Sequence, residues 1–239
     1  MHEEDFLYEA DALTMNGKLC LPDDVSQPRP GVLVFPEAFG LGEHAIGRAR
    51  RLAELGYVAL ACDLHGGRRV IDDLGAVMPL INALRADALG IRRRTDPALA
   101  ALVARPEVDA ARLGAIGFCF GGTMALELAR GGADVAAVVG FHSGLATTRP
   151  KDAAHIKGRV LVCIGADDPG IPAVQRAEFE DEMRAGRVRA HMMVYGGVVH
   201  SFTNVHADRM GRPKFAKYDA EADRHSWMLM RDAFAEAFA

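Results

Sequence analysis

The chain of 239 residues carries 32 acidic and 28 basic side chains, a net charge of −4, and half of its residues are hydrophobic. That length suits one large domain with a substantial core, and that charge supplies neither a basic field for nucleic acid nor a polybasic membrane face. No apolar run approaches the ~18 residues of a membrane span, and Met1-His2-Glu3-Glu4-Asp5 has no apolar secretory segment behind it. A cytoplasmic monomer or homodimer acting on a small molecule is the expectation.

Taken in order, Phe6–Leu13 and Lys18–Leu21 read as an opening hairpin turning at Asn16-Gly17. Gly31–Phe35 is a buried strand, followed by the glycine-rich loop Pro36–Gly42. His44–Leu55 has helical apolar spacing and is closed by Gly56, and Tyr57–Leu64 is a second buried strand. Asp72–Leu89 and Pro97–Val103 read as helices separated by the polar segment Arg92–Asp96, with Arg92-Arg93-Arg94 as a solvated helix end. Strands follow at Leu113–Phe118, Val135–Phe141, Arg159–Gly165 and Ala190–Tyr195, the last including Met192-Met193 as core. Helices lie at Met124–Arg130, Pro172–Ala185 and Ala220–Phe238. Alternating strands and helices predict an α/β fold, a mostly parallel central sheet with helices on both faces. In such sheets the functional loops lie beyond the carboxyl ends of the strands.

One junction stands out. Gly117-Phe118-Cys119-Phe120-Gly121-Gly122 joins a strand to a helix in the pattern G-x-C-x-G-G, a nucleophile elbow with cysteine in place of serine. It sets Cys119 at a helix N-terminus, where the dipole favours thiolate. The competing reading is tight packing around a small buried thiol. Cys20, Cys62 and Cys163 lie inside apolar runs without C-x-x-C spacing, as reduced structural thiols do.

Two later strand ends decide between these readings. Arg159–Gly165 leads into Ala166-Asp167-Asp168-Pro169, and Ala190–Tyr195 into Gly196–His200. Nucleophile, acid and histidine thus follow in α/β-hydrolase order, each just past a strand. His200 would serve as acid and base, and Asp167 or Asp168 would hold its tautomer.

The G-x-C-x-G-G elbow, Pro36-Glu37-Ala38-Phe39-Gly40, Asp168-x-x-x-Pro172, Val199-His-Ser-Phe202 and the Tyr218…Asp223…Trp227 segment resemble the dienelactone hydrolase family over nearly the whole chain. The resemblance implies a single α/β-hydrolase domain that cleaves esters or lactones through an acyl-cysteine, without cofactor or metal. It selects Asp168 over Asp167 and gives Glu37 a part in switching Cys119 on. The backbone amides of Ala38 and Phe120 would form the oxyanion hole. Phe39, His65, Arg68, His142 and Asn204 are candidate substrate contacts, with Arg69, Arg209 and Arg212 as further cations. His65-Gly66-Gly67 imitates a lipase oxyanion loop but follows the wrong strand. Family members that act on dienelactone hold its carboxylate with arginine, and neutral Asn204 follows the histidine here, so a neutral ester, lactone or phosphotriester is expected. His44, His206 and His225 lack metal-ligand spacing. A non-catalytic ligand-binding scaffold and a redox Cys119 are the readings from other classes; every triad member is present, and no resolving cysteine lies near in sequence.

Overall fold

The structure, a computed structural model, describes all 239 residues. Eight strands form one sheet: β1 His2–Ala10, β2 Leu13–Leu21, β3 Arg29–Phe35, β4 Val58–Ala61, β5 Val108–Phe118, β6 Ala137–Phe141, β7 Arg159–Gly165 and β8 Ala190–Tyr195. Their spatial order is β1-β2-β4-β3-β5-β6-β7-β8. The β1–β2 and β2–β4 pairings are antiparallel and all others are parallel. Six helices cover it: α1 Glu43–Glu54, α2 Leu74–Arg85, α3 Ala88–Val103, α4 Phe120–Arg130, α5 Ala173–Ala185 and α6 Ala220–Ala237.

The side-chain period of two divides the core between the faces. Val32 and Val34 of β3 join the cluster under α1 and α6, whereas Leu33 and Phe35 join the one under α2 to α5. Both faces are covered, which is why the central strands read as continuous apolar runs. No single helix is long and apolar enough to cross a membrane.

Three local expectations are corrected. The hairpin turns at Asp11-Ala12, with φ of 50° and 60°, not at Asn16-Gly17. Asn16 and Gly17 lie inside β2, opposite Leu7 and Phe6. A Cβ on Gly17 would come within 2.8 Å of the Ala61 carbonyl, so this glycine admits β4 rather than making a turn. The helix break falls at Asp87, whose carboxylate accepts the Gly90 amide at 2.9 Å and caps α3. Arg92–Asp96 is therefore helical, and Arg92 turns inward to Glu127 at 2.9 Å and Asp152 at 2.6 Å. Met192 and Met193 are half-buried on the edge strand β8 rather than fully in the core.

Candidate active site

β5 ends at Phe118 and α4 begins at Phe120, leaving Cys119 alone in the turn with φ 54° and ψ −119°. An L-residue held there costs about 1–3 kcal/mol and persists only where its surroundings enforce it. Backbone contact enforces it. A Cβ on Gly117 would sit 2.0 Å from the Gly121 carbonyl oxygen, and one on Gly121 would sit 2.3 Å from that of Phe35. The glycines let β5, α4 and the end of β3 close on one another. The Cys119 amide donates both to the Phe141 carbonyl at 3.0 Å and to His142 Nδ1 at 3.1 Å.

Cys119 is half-exposed, and Cys20, Cys62 and Cys163 are buried. Burial pushes the Cys20 and Cys163 thiols up to about 12 and Cys62 further still.

His200 Nδ1 and Asp168 Oδ2 are 2.6 Å apart. Asp168 is buried, and its other oxygen accepts the Gly170 amide at 2.8 Å. Asp167 is exposed. The His200 amide donates to the Phe215 carbonyl at 3.0 Å, and His200 accepts the Lys217 amide at 3.1 Å, clamping the loop on both sides. Burial opposes charge on the imidazole, but neighbouring Cys119 and the hydrogen-bonded Asp168 outweigh it and push it up to about 10.

Glu37 faces the same cavity, yet its carboxylate is held by the histidine loop. Oε1 accepts from Ser201 Oγ at 2.9 Å and Oε2 from Asn204 Nδ2 at 2.6 Å. Ala38 lines the cavity, and its carbonyl is 2.9 Å from His65 Nε2. Phe120 is the first residue of α4, a position whose N–H has no intrahelical acceptor.

Of the expected substrate contacts, Phe39 lines the cavity and four residues do not. Arg68 turns to the sheet edge, where Nε donates to the Asn16 carbonyl at 3.0 Å and Nη2 pairs with Asp5 at 2.9 Å. His65 is buried behind Ala38 and props its loop. His142 is fully buried beneath the elbow. Asn204 spends its amide on Glu37. Arg69 and Arg209 also lie outside the lining. Motif reading missed Arg85, at the end of α2, which lines the cavity, is exposed and has no ion-pair partner. The cavity measures about 440 Å³ and is walled largely by apolar groups, among them Leu74, Met78, Ile171, Met210 and Phe215. No three His, Cys, Asp or Glu side chains are grouped to hold a metal.

A mostly parallel sheet covered on both faces, with a strained cysteine elbow after β5 and an Asp-backed histidine beyond β7 and β8, defines an α/β-hydrolase. The model of the dienelactone hydrolase family matches residues 15–238, and the chain belongs to that family. It is 32% identical over 219 residues to a Methylorubrum extorquens protein assigned as a carboxymethylenebutenolidase, covering 87% of this chain and 72% of that one. Among solved structures, one named m3DLH superposes with a TM-score of 0.95 at 46% identity, covering 100% of this chain and 99% of the other. A dienelactone hydrolase-like promiscuous phosphotriesterase from metagenomic libraries superposes at 0.94 with 43% identity, covering the same shares.

Proposed function

We propose that this hydrolase cleaves uncharged esters and lactones through a covalent cysteine intermediate, with Cys119 as nucleophile, His200 as acid and base, and Asp168 holding the imidazole. The observation that carries the reading is the 2.6 Å Asp168–His200 bond, formed beside the one half-exposed cysteine. With Nδ1 committed to Asp168, Nε2 is the nitrogen left to exchange protons. The Cys119 sulfur attacks the carbonyl carbon, and the oxygen takes up charge between the Ala38 and Phe120 amides. As the C–O bond breaks, His200 gives its proton to the departing alkoxide or phenoxide and becomes neutral. It then takes a proton from water, which attacks the thioester; the sulfur leaves as thiolate and the acid product departs. A thiolate is a good leaving group, so attack on a poor leaving group reverts; enol lactones, aryl esters and thioesters suit the site.

The apolar wall supports a neutral acyl group. Glu37 disfavours a substrate anion near Cys119, and Arg85 is the one cavity-lining arginine. Aryl acetate turnover with a burst of phenol equal to the enzyme concentration, and an acyl adduct on Cys119 by mass spectrometry, test the reading. Turnover without a burst or an adduct would count against it.

A second activity is favoured by the 43%-identical neighbour named as a promiscuous phosphotriesterase. A neutral phosphotriester presents a P=O to the same amide pair and an aryloxide to the same His200. Release of phosphorylated Cys119 by water limits this path, so single-turnover phenol release followed by slow recovery is expected from a diethyl aryl phosphate.

A further inference from the structure

Beneath the elbow lies a file of polar groups that hydrolysis as described does not use, and none of its three inner members lines the cavity. The Cys119 amide donates to His142 Nδ1 at 3.1 Å, sharing its proton with the Phe141 carbonyl. His142 Nε2 is 2.8 Å from Thr203 Oγ1, and Thr203 Oγ1 is 3.2 Å from His44 Nε2. His44 Nδ1 then stands 3.6 Å from Glu37 Oε2. Four separate segments of chain meet in this line.

The direction of the file follows from its first member. A backbone N–H can only donate, so His142 Nδ1 accepts and the ring proton sits on Nε2. Nε2–H donates to Thr203, whose hydroxyl proton is then free to turn to His44 Nε2, 3.2 Å away, in competition with the Thr203 carbonyl as a partner for that ring. With the hydroxyl donating, the His44 proton lies on Nδ1. That nitrogen is buried and has no hydrogen-bond partner. At 3.6 Å it falls short of a hydrogen bond to Glu37, the carboxylate nearest to it. Unpaired buried donors are rare because the lost solvation is not recovered.

The surrounding groups fit neutral rings. His44 is faced by Glu37 from the loop after β3, by Arg48 of α1, by Asp223 of α6, by the Thr203 carbonyl and by the Phe118 ring edge-on at 4.6 Å. Arg48 Nη2 already donates to that carbonyl at 2.6 Å and to Asp223 at 2.7 Å. His142 is faced by the rings of His200 and Phe202, each at 5.1 Å, and by His44 and Arg48 further off. Burial first, and then the charge on His200, holds His142 well below the usual histidine range. Burial also lowers His44, against the pull of Glu37. His142 and Ser201, like Cys119, have positive φ, at 41° and 54°. The backbone is thus bent at both ends of the file.

We propose that His44 is a positioning residue for Glu37, and that the Cys119 amide fixes, through His142 and Thr203, the tautomer in which His44 offers its N–H to that carboxylate. The inference rests on Cys119 as nucleophile with Glu37 beside it. Ser201 and Asn204 supply two donors to Glu37, and His44 is the third, closing on Oε2 as the carboxylate shifts. Removing that donor frees the carboxylate beside Cys119 and changes the rate at which the thiol is alkylated.

The test uses the full-length protein labelled with ¹⁵N-histidine. Long-range ¹H–¹⁵N correlation should show His142 protonated on Nε2 and His44 on Nδ1. In Thr203→Val, His142 should keep its tautomer, still anchored by the Cys119 amide, while His44 becomes a mixture. The iodoacetamide rate of Cys119 at fixed pH should change severalfold in Glu37→Gln, change in the same direction in Thr203→Val and in His44→Phe, and return to its original value in Thr203→Ser. His44 protonated on Nε2 in the unmodified protein would overturn the proposal even if no variant folds, as would a Cys119 alkylation rate unmoved in Thr203→Val. Cys119→Ala retains the anchoring amide, so the tautomers can be read there independently. No burst and no selective labelling, with both tautomers as described, would sink the nucleophile reading and leave the file standing.

Discussion

Asp168 and His200, 32 residues apart in sequence, meet through a 2.6 Å hydrogen bond in which the aspartate side chain is fully enclosed. Its second oxygen is already occupied by the Gly170 amide. Asp168→Asn would present either an oxygen acceptor or an NH₂ donor to Nδ1 and so weaken the tautomer that leaves Nε2 free. By the precedent of such triads, kcat should fall by about 10⁴. Asp167→Asn, at an exposed position, should stay within a few-fold. Steady-state kinetics of the two variants check this, and the reverse ranking would exchange their roles.

Thiol reactivity should divide one against three. Iodoacetamide should label Cys119 in the native protein, whereas Cys20, Cys62 and Cys163 are each 0% exposed and should react only on unfolding. Cys119→Ala should abolish turnover and leave the thermal midpoint within a few degrees. Peptide mapping after timed labelling reads the order directly. Equal modification of all four, seen only in denaturant, would make Cys119 a packing residue.

The charge on His200 should appear in the stability curve. Its folded value, about 10, lies above the ordinary 6.5. A raised value means that the folded state binds the proton more tightly, so this contribution is complete below about pH 6.5 and is lost as pH rises through about 10. Urea midpoints across that window should decline. Cys119→Ala removes one of the causes of the shift and should flatten the decline. A steeper decline in that variant would reverse the sign.

Arg85 is the cavity's only arginine and makes no ion pair, so it should set the residual tolerance for anions. The unmodified enzyme should prefer a neutral aryl ester to its carboxylate-bearing counterpart. Arg85→Gln should lower kcat/KM for the anionic ester about tenfold more than for the neutral one, the scale of one charge-assisted hydrogen bond. Matched ester pairs give the ratio. Strong preference for the anion in the unmodified enzyme would contradict the neutral pocket.

The parts of the molecule that were legible from residues alone are those governed by local pattern. β7 and β8 fall at Arg159–Gly165 and Ala190–Tyr195, as their apolar runs indicated, and Cys119, Asp168 and His200 follow strand ends. Asp11-Ala12 carries no glycine to announce a left-handed turn, whereas Asn16-Gly17 has the composition of one and serves close strand packing instead. Arg92 looked solvated because its partners, Glu127 and Asp152, lie 35 and 60 residues away. Arg68 looked like a pocket cation but folds back on β2, and Arg85 was hidden in an ordinary amphipathic helix. The contacts of Thr203 with His142 and His44 span 61 and 159 residues, and no spacing rule reaches that far.

The left-handed backbone at Cys119, His142 and Ser201 places part of the molecule's conformational strain where the chemistry is proposed to occur. A selection for heat tolerance alone should therefore drift toward glycine at half-exposed Cys119, where the exchange relieves the φ and opens no large cavity, and not at buried, hydrogen-bonded His142 and Ser201. Such survivors would gain robustness while losing the thiol. Ancestral or laboratory lineages of this chain should accordingly show melting temperature and turnover trading against each other at Cys119, and varying independently at surface positions.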